Sequence, residues 1–146
     1  MKLGNHEIRK FKSLKDACKP KEAEIEASIR RYLNLCGIFN WPTHAGQIIP
    51  VSNGVADIIG AFPRSARILA IEVKLPSWKP PEEGTKRYKH YAEQRDFLEN
   101  IRKSGGVAFF ASSIEDVESQ LEISRDTTDR PAVKKIERGA IDLGGV

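Results

Sequence analysis

Apolar and polar positions change period several times along the chain, and those changes mark out the elements. From Lys21 to Cys36 the apolar residues Ile25, Ile29, Leu33 and Cys36 share one side of a helix at about 100° per residue. Pro20 suits the first turn of that helix and Gly37 its C-terminal stop. Glu22 and Glu26 fall inside the apolar arc, whereas Glu24 points to solvent. A carboxylate on a buried face is costly unless it is paired or bound to metal. The alternative is that the first turn overhangs the core and its acids favour the helix dipole.

After Trp41-Pro42 the pattern predicts three strands, Gln47–Val51, Ala56–Phe62 and Arg67–Lys74, separated by turn signals at Ser52-Asn53-Gly54 and Pro63-Arg64-Ser65. The last two are nearly continuous in apolar character, as in a sheet covered on both faces, and their short connections suit an antiparallel meander. Leu75–Thr85, with three prolines and a glycine, reads as irregular loop. Tyr88–Lys103 reads as a second helix carrying Tyr91, Phe97, Leu98 and Ile101 near one side, with the amide Gln94 inside that arc. Val107–Ala111 follows as a strand, and Ser112-x-x-Glu115 resembles a capping box opening a helix to about Glu122. The order is α-β-β-β-α-β-α, an α/β chain with a central mixed sheet flanked by helices.

Three charged residues interrupt the apolar strands: Asp57 in Gly54-Val-Ala-Asp-Ile-Ile-Gly60, and Glu72 and Lys74 in Leu69-Ala-Ile-Glu-Val-Lys74. Residues two apart on a strand share a face, so Glu72 and Lys74 point the same way, and Asp57 on the neighbouring strand reaches the same spot. A carboxylate pair with a nearby main-chain carbonyl, that of Val73, offers the hard oxygen ligands that Mg²⁺ prefers. Such an ion polarises a phosphoryl oxygen, and Lys74 is placed to offset charge building on phosphorus. The pattern is that of a divalent-metal nuclease centre.

At 146 residues the chain suits one domain with a core of its own. Its two cysteines and three histidines match no zinc spacing, no apolar run approaches the ~20 residues of a membrane span, and the first 21 residues lack a signal-peptide core. A reduced, cytoplasmic protein with no membrane is expected. Net charge is only +4, but residues 1–21 carry seven Lys/Arg against two acids. A second basic cluster, Lys79, Lys86, Arg87 and Lys89, follows Lys74. Both suit contact with phosphates. Trp78 is the better candidate for stacking on bases, Trp41 for covering the core, and a lone loop histidine such as His44 is usually incidental. We expect a basic arm over 1–20, a nuclease domain over 21–123 and a loosely ordered tail over 124–146.

The segment from about Glu22 to Glu122 resembles the PD-(D/E)xK nucleases, and within them the VRR-NUC branch. The resemblance rests on Glu22-x-x-Ile25-Glu26 with Tyr32-Leu33 and Gly37, and on the Gly54–Gly60 and Ile71–Lys74 stretches. Gln94 with Phe97-Leu98, and Gly105-Gly106, complete it. It implies a restriction-endonuclease-like core and Mg²⁺- or Mn²⁺-dependent phosphodiester hydrolysis. It also implies Asp57 and Glu72 as metal ligands, Lys74 as catalytic lysine, Glu22 as the helix carboxylate approaching the metal and Gln94 as the second-helix glutamine. The helical wheel leaves the choice between Glu22 and Glu26 open, and Ala56 stands where the family often has proline. The expected function is DNA endonuclease, structure-specific for a junction or flap, acting as a homodimer because one small domain covers little duplex. The alternatives are a sequence-specific restriction enzyme, with little chain left for base readout, and a catalytically silent nucleic-acid-binding module.

Overall fold

The computed structural model describes residues 19–44 and 53–126. Among these the order is α1 (Glu22–Leu35), β1 (Phe39–Pro42), β2 (Ile58–Ala61), β3 (Ile68–Val73), α2 (Lys86–Lys103), β4 (Val107–Ala111) and α3 (Ile114–Asp126). The protein is α/β, with one mixed sheet in the order β1-β2-β3-β4. The first three strands are antiparallel to one another, and β4 runs parallel to β3. That parallel pairing requires a crossover, which α2 supplies.

The two faces of the sheet are covered differently. Ile25, Ile29 and Leu33 of α1 and Val117 and Leu121 of α3 meet Ile58, Leu69, Ile71, Val73 and Phe109 in the larger core cluster. On the opposite face, Leu98 of α2, with Phe97 and Ile101, packs on the smaller side chains Ala70 and Ala108. Strand alternation then fixes the remaining positions. Glu72 shares parity with Ala70, so it lies beneath α2.

Helix α1 begins one residue inside the expected span, with Lys21 as N-cap, so Pro20 precedes the first turn. Gly37, at φ +73, takes the left-handed conformation that ends it. Helix α2 begins at Lys86, earlier than Tyr88, because the Thr85 hydroxyl caps it by accepting from Tyr88 N–H at 3.2 Å. At α3 the expected box moves by one residue. Ser113 accepts from Asp116 N–H, and Asp116 in turn takes the N–H and hydroxyl of Ser112, so Glu115 is not the acid involved. The helix then runs past Glu122 to Asp126.

The first strand departs most from expectation. Gln47–Val51 lies outside the described residues, as do most of the basic arm and the tail from 127 onward, whereas Phe39–Pro42 pairs with β2. Pro42 is tolerated because β1 is an edge strand and Pro42 sits at its end. Alternation in β1 is inverted: Asn40 is buried, while Phe39 and Trp41 are exposed and lie against each other with ring centroids 5.3 Å apart. Trp41 therefore does not cover the core. Asn40 is held by Asn34 Oδ1, the Ile38 carbonyl and Arg30 Nε.

Candidate active site

β2 and β3 are in the register Ile58↔Ile71, and one step further brings Asp57 opposite Glu72. Directly opposed residues of an antiparallel pair hold their Cβ atoms about 5 Å apart, and like charges there repel. Both strands are shorter than expected, so Asp57 immediately precedes β2 and Lys74 immediately follows β3. The site is built where the ladder ends.

Glu72 is buried, with only 2% of its surface exposed. Its Oε1 accepts from Lys74 Nζ at 2.9 Å and from Gln94 Nε2, and Lys74 Nζ also donates to Gln94 Oε1 at 3.1 Å. The three side chains close a ring, which explains an amide on the apolar side of α2: Gln94 is buried and uses both ends. Glu72 Oε2 is buried without a hydrogen-bond partner. Desolvation, and then the charge of Asp57, push the Glu72 carboxyl up to about 7, against the opposing pull of Lys74.

Asp57 is oriented from two sides. Its Oδ2 accepts Val73 N–H at 2.8 Å, and its Oδ1 lies 2.6 Å from His44 Nε2. The histidine arrives there because Thr43 ties the end of β1 to the same residues. Thr43 N–H donates to the Asp57 carbonyl at 2.9 Å and its hydroxyl to the Ala56 carbonyl at 2.7 Å. His44 is thus part of the site. A loop histidine carries no periodic signal, and only the Thr43 pairing places it.

Gly54 joins the turn before Asp57 to α2. It sits at φ +80, and a Cβ there would lie 2.5 Å from the Glu93 carbonyl and 2.9 Å from Gln94 N. Only glycine lets the turn approach the helix where Gln94 emerges.

The helix acids separate. Glu22 is exposed rather than seated in the core, and it lines a cavity of about 410 Å³ together with His44, Asp57, Glu72, Lys74 and Gln94. Glu26 is half-buried and does not line that cavity. Burial, and then Asp57, raise its pKa. Among the described residues, no three of His, Cys, Asp and Glu form a group able to hold a metal ion by themselves. The donors that do fit a hard cation are the opposed Asp57 and Glu72 carboxylates, with the unpartnered buried Oε2. Two carboxylates suffice for Mg²⁺, which retains several waters.

Of the expected nucleic-acid contacts, Lys86, Arg87 and Trp78 line a second cavity of about 490 Å³ that adjoins the first and shares Glu22, Lys74, His90 and Gln94 with it. Lys79 and Lys89 are exposed outside it. Lys86, Arg87 and Lys89 belong to the start of α2 rather than to a loop. Trp78 is half-buried, stacked on Phe110 at 5.5 Å and tilted against Tyr91 at 5.8 Å, with Lys74 Nζ 5.5 Å from its ring centre. Among the described residues no helix is long and apolar enough to cross a membrane. Compared with known proteins, the chain matches no family model, no curated protein and no solved structure.

Proposed function

We propose that the protein is a Mg²⁺- or Mn²⁺-dependent DNA endonuclease of the PD-(D/E)xK type, as its resemblance to the VRR-NUC branch implies. The observation that carries this reading is the opposed Asp57–Glu72 pair, one acid buried with a free oxygen, ringed by Lys74 and Gln94. A catalytically idle core has no reason to bury that arrangement. Asp57, Glu72 and the Val73 carbonyl are the proposed holders of the ion, with Glu22 at the rim of the same cavity. When bound, the ion supplies Lewis-acid polarisation of the phosphoryl group.

The chain's own residues do the rest. Val73 N–H and His44 fix the Asp57 carboxylate, and Gln94 holds Glu72 and Lys74 by a hydrogen bond to each. Lys74 Nζ presents its cation to the charge that develops on the phosphoryl oxygens, and its position is set before substrate arrives. Lys79, Lys86, Arg87 and Lys89 supply phosphate contacts beside it. A homodimer in the cytoplasm, acting on both strands or on two arms of a junction or flap, completes the reading.

A silent DNA-binding module is the second reading, favoured because no third His, Cys, Asp or Glu joins the acid pair in a metal-holding group among the described residues. Cleavage of supercoiled plasmid and of a four-way junction, with Mg²⁺, Mn²⁺ or EDTA, separates the two. Wild-type protein is expected to cut only with metal. Asp57→Ala and Lys74→Ala are each expected to lose on the order of 100-fold or more in rate while still binding DNA. Binding without cleavage under either metal would decide for the silent module, and unaltered cleavage by Asp57→Ala would sink the proposed centre.

A further inference from the structure

The geometry points to the 490 Å³ cavity beside the acid pair as a subsite for one unpaired nucleotide, its base on Trp78 and Tyr91 and its phosphate on Lys86 and Arg87. Three independent features converge on it. The first is size: the cavity falls within the roughly 300–1,000 Å³ of small-molecule pockets. A single nucleotide is of the size that such a space takes.

The second is charge. Lys86 and Arg87 occupy the first turn of an 18-residue helix that has no acid in that turn. Cations there oppose the helix dipole, and the same free N–H groups attract anions. Lys74 adds to the basic side, and Glu22 is the one acid in the lining. The third is aromatic. Trp78 is stacked on Phe110, at 20° between ring planes, and flanked by Tyr91. A ring held in that way is ordered before a base arrives, and Lys74 Nζ, 5.5 Å from its centre, is the group that a stacking base would meet there.

The wall shared with the acid cavity gives the subsite its meaning. Lys74 and Gln94 face both spaces. A strand whose scissile phosphate lies at Asp57 and Glu72 therefore passes its next nucleotide into this cavity, and that nucleotide must be free of its partner. The substrate class is a frayed end, a flap or a single strand rather than continuous duplex. That last step rests on the nuclease reading, whereas nucleotide binding by the cavity does not.

The chain has two tryptophans, so Trp41→Phe leaves Trp78 as the sole indole reporter. Fluorescence of that protein, in EDTA, would be titrated with deoxyadenosine monophosphate, deoxyribose 5-phosphate and inorganic phosphate. The nucleotide is expected to quench saturably and to bind roughly tenfold or more tighter than the sugar phosphate, which has no base to stack. Lys86→Ala with Arg87→Ala is expected to weaken it about tenfold. Equal affinity for all three ligands would overturn the subsite in favour of a plain anion patch, and no saturable quench would overturn it outright. If the double variant fails to fold, the comparison of ligands on the intact site still decides. Cleavage of flap and duplex substrates by the same proteins keeps the claims apart. Cutting without nucleotide binding overturns the subsite alone, and nucleotide binding without cutting supports the subsite and overturns the nuclease.

Discussion

Glu72 has one oxygen engaged by Lys74 and Gln94 and the other buried without a partner, so its ionisation works against folding when no cation is present. Its carboxyl is pushed from 4.5 up to about 7 in the folded protein, so the folded state holds the proton more tightly than the unfolded one. The stabilisation is complete below about pH 4.5 and is lost as pH rises through about 7, an effect on the order of 3 kcal/mol. Glu26 shifts in the same direction. Asp116, which Ser112 holds below its usual value, acts with the opposite sign and at lower pH. Urea denaturation of metal-free protein between pH 4.5 and 8.5 should show this decline, and Glu72→Gln should flatten most of it. A second residue test concerns glycine. Gly54→Ala must both adopt a positive φ and displace the Glu93 backbone, and is expected to cost about 2 kcal/mol or more. Gly84→Ala, also at positive φ but with open space around it, is expected to cost roughly 1 kcal/mol. Thermal melts of the two variants check the difference. Asp57, Glu72, Lys74 and Gln94 were legible in the sequence because each is polar where the period demands an apolar residue. His44 was not, because its place depends on Thr43 pairing with residues more than a dozen positions away.

Among the elements, β1 shows where pattern reading fails. Its exposed positions are aromatic and its buried one is Asn40, the reverse of the usual code, and Pro42 at its end imitates a break. The hydrogen bonds that satisfy Asn40 come from Arg30 and Asn34 of α1 and from Ile38, near in sequence but set by the turn between helix and strand, which a hydropathy period does not weigh. Helix α1 was legible as a helix. Its wheel could not separate Glu22 from Glu26, because that depends on where the first turn overhangs the sheet. The start of α2 sets stability against the proposed phosphate contacts. Lys86→Glu with Arg87→Glu is expected to favour the helix dipole and stabilise the fold by about 0.5–1 kcal/mol. The same change is expected to weaken DNA binding, which denaturation and a filter-binding titration on one preparation would read together.

At the scale of the whole molecule, the sheet divides the labour between its faces. The larger cluster under α1 and α3 contains the large apolar side chains, while the α2 face is lined with alanines and so has room for Glu72, Lys74 and Gln94. Two faces differing in this way are expected from the near-continuous apolar strands, but which face would hold the acids depends on the crossover of α2. Because the net charge is only +4, the proposed binding to DNA should depend on where the cations lie rather than on their sum. The slope of log affinity against log salt should fall by about one for each of Lys86 and Arg87 removed.

The register between β2 and β3 has a last consequence. Asp57 and Glu72 meet because their positions, fifteen apart in the chain, are mirrored across a single antiparallel pairing. Slipping β2 by one residue would turn Asp57 to the far side of the sheet while leaving most of the apolar contacts replaceable. The acid pair is therefore an internal gauge of correct assembly. Under the proposed function, specific activity in any preparation would count the molecules whose strands have aligned, including against compact, helical ones that spectroscopy alone would pass as native.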